Sequence, residues 1–315
     1  MEKFKKIPPV GWMLLVMILI FSMFSEHYFS LSNFVNVLLQ ASPLMILALG
    51  QTLVILSEGI DMSLGAQVSF ATVFWVFSYG SGMPLGLGAI LTVVLLTVIG
   101  GINGFFVGKF NMPPFIVTLA MMNILNSISL QITSGASIYN YSPIFTFISS
   151  GSLLFIPIPL LLVFVMFLLS WKVLHNTRFG STIRGLGGNK ESLSVAGINI
   201  TKVQVKVYAF AGFLAGVCGL LTTCRVESGQ PIVASGWEFD AVAATLLGGT
   251  SFYDGRGDLS GTIFGVLLIK ILQNGLNVSG VNTMYHNAII GFVVLVAIVV
   301  DALLKREQNR YQEIR

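Results

Sequence analysis

Long apolar runs broken by short polar segments make up nearly the whole chain. Ten runs stand out, at about 10–25, 41–57, 64–80, 85–108, 115–134, 153–171, 204–223, 240–252, 260–278 and 285–303. A helix that crosses a bilayer needs roughly 20 apolar residues. Most of these runs therefore predict spans, and the pattern as a whole predicts an all-α polytopic membrane protein with about eight to ten transmembrane helices, organised as one transmembrane domain over 1–315. The run 240–252 is different. As a helix it reaches only about 20 Å, and Gly248-Gly249 interrupts it, so a broken or re-entrant segment is expected near 240–258. A similar break lies between Gly50 and Gly65, where one run ends in Ser57-Glu58-Gly59-Ile60-Asp61 and the next starts at Ser63. The two breaks suggest a faint internal repeat.

Composition supports the class that this pattern implies. Of 315 residues, 55% are hydrophobic and 10% charged, with a mean hydropathy of +0.86, whereas a soluble domain carries about 25% charged residues. So few charges cannot cover a water-facing surface. A soluble enzyme or a nucleic-acid-binding domain is thereby excluded, and the expected surroundings are membrane lipid. His27, His175 and His286 are scattered and hold no metal-ligand spacing, so neither a catalytic nor a metal site is expected. Cys218 and Cys224 read as small buried hydrophobes.

Charge gives the runs a direction. The excess of Lys and Arg, 17 against 13 acidic residues, is concentrated in three segments: an N-terminal stretch with Lys3, Lys5 and Lys6, the polar segment 172–206, and a C-terminal stretch from Lys305. These hold 13 of the 17 basic residues, which predicts that all three are cytoplasmic, both termini included. The loops 26–40 and 135–152 contain no Lys or Arg and fall outside. The first apolar run follows basic residues as a signal peptide would, but no small-x-small cleavage site ends it, so it is expected to be a retained span. Glu58, Asp61, Asp254 and Asp258 lie at loop positions, where ordinary solvation is expected.

The polar segment 172–206 carries the most distinctive sequence. Between Thr177 and Ile198 it has basic residues, a glycine-rich stretch at Gly185–Gly188 read as a turn, and an amphipathic stretch from Asn189 to Val195, which predicts a short helix capped by Asn189. Charge alone makes this an ordinary cytoplasmic loop; its amphipathic part would also suit a groove of a cytoplasmic partner. The glycines are no nucleotide fingerprint, since no strand precedes them and no Gly-Lys-Ser follows. The chain has no phosphate-binding loop and is not expected to hydrolyse ATP by itself.

Two polar stripes cross the apolar runs. Asn123, Asn126, Ser127, Gln131 and Ser134 fall within an arc of about 140° on the fifth run, and Lys270, Gln273, Asn274 and Asn277 within about 100° on the ninth. Amides facing lipid are costly, so each stripe should face protein or water. One reading is a hydrophilic passage lined by Asn123, Asn126, Gln131, Lys270, Asn274 and Asn277; the other is hydrogen bonding between helices. Lys270 could line the passage, snorkel to an interface, or pair with Asp240 or Glu238 beside the broken segment.

Five ordered motifs over about residues 30–303 resemble the permeases of ribose-, galactose- and autoinducer-2-type ABC importers. They are Gly59-Ile60-Asp61-Met62-Ser63-Leu64-Gly65, the 177–198 segment, Glu238-Phe239-Asp240-Ala241-Val242-Ala243-Ala244, Leu247-Gly248-Gly249-Thr250-Ser251 and Asn274-Gly275-Leu276-Asn277. The resemblance implies a bacterial inner-membrane subunit with no chemistry and no cofactor of its own. It implies a second permease copy in a homodimer or heterodimer, a cytoplasmic ABC ATPase that binds ATP and Mg, and an extracytoplasmic solute-binding protein. By the same resemblance the 177–198 segment couples to the ATPase, through Arg178, Arg184, Gly188, Asn189, Lys190, Glu191 and Gly197. Relatives commonly carry a paired alanine before the closing glycine of this motif, where this chain has Ser192-Leu193-Ser194-Val195-Ala196-Gly197. The alternative from another class is an ion-coupled secondary transporter, with Lys270 and an intramembrane acid as a proton relay.

Overall fold

The computed structural model describes residues 9–24, 28–252, 254–286, 288–293, 295, 296 and 299. The basic N-terminal stretch, His27, the basic C-terminal stretch and part of the tenth run lie outside the described residues. The rest is helical almost throughout: α1 (Pro9–Phe24), α2 (Leu31–Leu56), α3 (Leu64–Gly80), α4 (Leu85–Phe110), α5 (Pro114–Thr133), α6 (Pro143–Ser150), α7 (Ile158–His175), α8 (Arg178–Gly188), α9 (Lys190–Val195), α10 (Ile200–Val226), α11 (Trp237–Leu247) and α12 (Leu259–Val278). A two-residue hairpin, β1 (Ser152–Leu153) with β2 (Ile156–Pro157), precedes α7. Helical residues continue from His286.

Among the described residues, six helices are long and apolar enough to cross a membrane: α2, α4, α5, α7, α10 and α12. With 16 and 17 residues, α1 and α3 are only slightly shorter. This is an all-α, multi-pass membrane protein.

Hydropathy misplaced the start of α2. The helix begins at Leu31, ten residues before the apolar run, so most of the supposed loop 26–40 is helix. Ser30 caps it, accepting from the Asn33 amide at 3.2 Å. Polar side chains interrupt the run, and they have partners: Gln40 donates to Asn36 one turn back, and Asn33 exchanges two hydrogen bonds with Asn274 of α12.

The tightest packing joins α4 to α10. Gly100, Gly104 and Gly108 form a stripe at four-residue spacing, laid directly on the α10 backbone. A Cβ on Gly100 would overlap the Tyr208 carbonyl, one on Gly104 the Gln204 carbonyl, and one on Gly108 would lie 2.8 Å from the Thr201 Cα. From the other side, Gly212 of α10 meets the Leu96 carbonyl. In a bilayer, where apolar side chains gain little by leaving lipid for protein, small residues that let backbones touch are a main source of helix association. The pair buries Tyr208 completely and anchors α2 and α3, whose Gly50 and Gln67 abut Ala211 and Gly212.

The segment 227–258 accounts for the short eighth run at 240–252. After α10 the chain turns back along α3 without forming a helix. Gly229 pairs with Ile138 and packs on Val73, Gln230 bonds to Thr72, and the Ala234 amide donates to the Ser69 hydroxyl. The 11-residue helix α11 then starts beside Gly65 and runs antiparallel to α12, with Ala244 against Gly265 and Gly248 against Gly261. An extended stretch finally brings Gly255 and Gly257 to α8. The segment therefore connects the two ends of the helical body through a discontinuous helix.

Two substitutions on one helix separate close backbone contact from ordinary surface. Gly104→Ala is expected to lower stability by about 1–3 kcal/mol through overpacking. Gly101→Ala, whose Cβ would meet its nearest neighbour at 3.7 Å, should stay within about 0.5 kcal/mol. Melting of the detergent-solubilised protein, followed by a thiol-reactive dye on the buried Cys218 and Cys224, measures both.

Candidate functional site

The segment 177–198 is two helices with a sharp corner, and it protrudes at one end of the body. Thr177 caps α8, accepting from the Gly180 amide at 3.1 Å, and Asn189 caps α9, accepting from the Ser192 amide at 2.8 Å. Gly185–Gly188, expected as a turn, is instead the last turn of α8. The glycines serve approach: a Cβ on Gly187 would overlap the Leu56 carbonyl at the end of α2, and one on Gly180 the Leu174 carbonyl of α7.

The coupling candidates divide into two groups. Arg178, Gly188, Asn189, Lys190, Glu191 and Gly197 are exposed, and Lys190 reaches Asn111 at the end of α4 at 2.9 Å. Arg184 is turned inward, where it donates to the Gly257 carbonyl at 3.0 Å and approaches His175 Nε2 at 3.2 Å. The same His175 nitrogen lies 3.2 Å from Asp258, which caps α12. Arg184 thus ties α8 to the 254–258 stretch. Sequence reasoning missed Val195, which ends α9 with 91% of its surface exposed. Its apolar side chain stands among the exposed Ser194, Ala196 and Gly197.

Beneath this protrusion lies a buried polar cluster built on the α2–α3 break. Glu58 and Asp254 are exposed, as expected, but Asp61 is completely buried. Its Oδ1 accepts from the Ser63 amide at 2.8 Å and from the Ser63 hydroxyl at 2.6 Å, which closes the turn from below. That hydroxyl in turn accepts from Gln67 at 2.9 Å and Asn103 at 3.0 Å. Thr118 of α5 accepts from the Met62 amide, and Tyr208 and Gln204 of α10 donate to the Ile60 and Ser57 carbonyls. Four helices are therefore fastened to one loop. Asp61 Oδ2, Gln67 Oε1 and Asn103 Oδ1 are left without partners. All three are acceptors. Burial pushes the Asp61 carboxyl up to about 6, against the partial relief of its hydrogen bonds from Ser63.

The two polar stripes have different surroundings. On α5, Asn123 and Gln131 are exposed and Asn126 half-buried, on the outer face of a spanning helix, and none bonds to another described side chain. On α12 the stripe splits. Asn274 is buried in its reciprocal pair with Asn33, and Asn277 is exposed near the helix end. Lys270 donates to Gln273 at 2.8 Å, and both open onto a cleft beside α11. No described contact joins the α5 stripe to the α12 stripe within the chain. Farther along, a threonine cluster pins α11: Thr52 of α2 lies 2.7 Å from Thr262 of α12 and 3.3 Å from Thr245 of α11, hydroxyl to hydroxyl.

The raised Asp61 carboxyl sets a pH dependence. The native state holds this proton up to about pH 6 and the unfolded chain only to about pH 4, so the group's contribution is full at low pH and is lost as pH rises through that window. Asp61→Asn replaces a charge with N–H donors in a cluster whose orphan atoms are all acceptors. The variant should melt higher than wild type at pH 7–8, by up to about 3 kcal/mol, and the gap should close toward pH 4.5.

Comparison with known proteins identifies the family. The family described as the branched-chain amino acid transport system permease component matches residues 33–298. The ribose import permease protein RbsC of Escherichia coli (strain K12) is 36% identical over 292 residues, covering 91% of each chain. Its counterpart in Bacillus subtilis (strain 168) is 37% identical over 292 residues, 91% of this chain and 90% of its own. The D-allose transport system permease protein AlsC of Escherichia coli (strain K12) is 31% identical over 297 residues, 94% and 91% respectively. No solved structure matches significantly. With a family match over most of its length and relatives aligned almost end to end, the chain belongs to this family of membrane transport permeases.

Proposed function

We propose that this chain is the membrane subunit of a binding-protein-dependent ABC importer and forms the path for a monosaccharide or a related polyol. The observation that carries the reading is its similarity, along nine-tenths of its length, to permeases named for ribose and D-allose. The neutral amides Asn123, Asn126 and Gln131 suit a solute rich in hydroxyls. ATP and Mg are bound and turned over on a separate cytoplasmic ATPase, and an extracytoplasmic binding protein delivers the solute. The α8–α9 end faces the cytoplasm of the bacterial inner membrane, with both termini on that side.

In this reading the exposed corner formed by Arg178, Gly188, Asn189, Lys190, Glu191, Val195 and Gly197 seats in the ATPase. Closure of the ATPase moves α8. Through Gly187 on Leu56 and Arg184 on Gly257, that movement reaches the end of α2 and the stretch leading into α12. A second permease copy covers the α5 stripe, because exposed amides on a spanning helix need protein or water against them. The passage then runs between the two copies, past Asn123, Asn126 and Gln131, with Lys270 and Asn277 on the α12 side. The relatives lend no support to the ion-coupled alternative.

The energy source decides between the two. In cells carrying the complete system, uptake should fall to background when ATP is depleted, and should persist with an uncoupler while ATP is maintained. Uptake that follows the proton gradient and ignores ATP would contradict the proposal.

A further inference from the structure

The start of α11 opens into a cleft near the middle of the helical body. The cleft holds about 580 Å³, within the range of about 300–1,000 Å³ usual for small-molecule sites. Trp237 and Asp240 line it from α11, Lys270 and Gln273 from α12, and Ile290 and Gly291 from the helical stretch that follows. Lys270 lies about 17 Å from the start of α12, at 1.5 Å per residue, so the cleft sits at mid-depth. Discontinuous helices at mid-depth are where transporters place their solute contacts, since backbone broken there has to line a cavity or be buried in protein.

The chemistry of the lining is specific. The Lys270 ammonium donates to Gln273 at 2.8 Å and lies 5.9 Å from the centre of the Trp237 ring. Asp240 lines the same cleft as Lys270 and Gln273. A donor, an amide and a carboxylate acceptor thus line one polar side of the cleft, with the partly exposed Trp237 indole beside them. One positive and one negative side chain leave the lining without net charge. The other acid of this turn, Glu238, is buried and turned away toward Gly65 of α3. An anionic solute would meet Asp240, and a cationic one would meet Lys270 and the positive end of α11. A neutral polyhydroxylated ring meets neither obstacle: its hydroxyls can bridge Asp240 to Lys270 and Gln273, and its C–H face can lie on Trp237.

We infer that the cleft formed by Trp237, Asp240, Lys270 and Gln273 is a solute-binding station on the transport path, selective for neutral polyols over charged sugars. The inference rests on the importer reading and adds to it a place and a charge preference. In this station Asp240 accepts from two solute hydroxyls, Lys270 and Gln273 donate to ring or hydroxyl oxygens, and Trp237 supplies the stacking face.

The test uses the full chain reconstituted in vesicles with its ATPase and binding protein, with radiolabelled D-ribose, D-allose and D-galactose as probes. The readout is sugar moved per ATP hydrolysed, which counts only assembled, working complexes. Asp240→Asn and Trp237→Leu should lower this ratio about tenfold for the transported sugar, as expected when a buried polar or stacking contact is lost. Trp237→Phe, which keeps an aromatic face, should retain most of it. Variants that fail together in transport and hydrolysis, with the ratio of wild type, would overturn the station. If wild type moves none of the three sugars at the expense of ATP, the importer reading fails first, and the station with it.

Discussion

Backbone that leaves a helix in the interior of a membrane protein must find its hydrogen-bond partners in protein, and this fold is arranged around two such buried breaks. One is the loop 57–63, whose carbonyls and amides are taken up by Tyr208, Gln204 and Thr118. The other is the descent 227–236, whose amides are met by Thr72 and Ser69. Neither break could exist on a lipid-facing surface. Both are walled by α3, which is why a helix of only 17 residues is almost entirely buried, while its longer neighbours α4 and α5 are mostly exposed along their length.

The walls have to stand close, and glycine allows it. The stripe of Gly100, Gly104 and Gly108 lets α4 rest on the backbone of α10, and Gly65 leaves room for the Glu238 carboxylate where α11 begins. The α8–α9 corner lies at the margin of this frame. The α8–α9 corner touches the end of α2 through Gly187 and the approach to α12 through Arg184. The threonine cluster of Thr52, Thr245 and Thr262 joins those same two helices to α11. A displacement of α8 therefore has a short route to the half-helix that lines the mid-depth cleft, through groups in direct contact at each step.

Much of this was legible in the sequence, for physical reasons. Lipid demands long apolar runs, so the spans were visible, and the short glycine-broken run at 240–252 announced its discontinuity. The Asn189 cap of α9 could be read from its side chain and position alone. What escaped notice depended on contacts between distant segments. Asp61 reads as a solvated loop acid, and only the fold shows that Ser63, Gln67 and Asn103 enclose it. Asn274 reads as a pathway amide, but its partner Asn33 lies 241 residues away. Gly185–Gly188 reads as a turn because glycine favours turns, whereas here the glycines are helical and let α8 lie on other backbones. Leu154 and Phe155 took up a left-handed hairpin turn at φ values of 50° and 68°, with no glycine or asparagine to signal it.

The surface proposed to receive a cytoplasmic ATPase is the α8–α9 corner. Val195 gives the most direct access to it, being apolar, exposed and at the tip. With Val195→Cys in the full chain and a short bismaleimide added to native membranes, the account predicts one dominant cross-linked product containing an ATPase chain. The same cysteine placed at Val165, on the exposed flank of α7, should give none. If Val195→Cys remains uncross-linked while the ATPase is present and active, or captures only other membrane chains, the corner is not the coupling surface and the account is wrong.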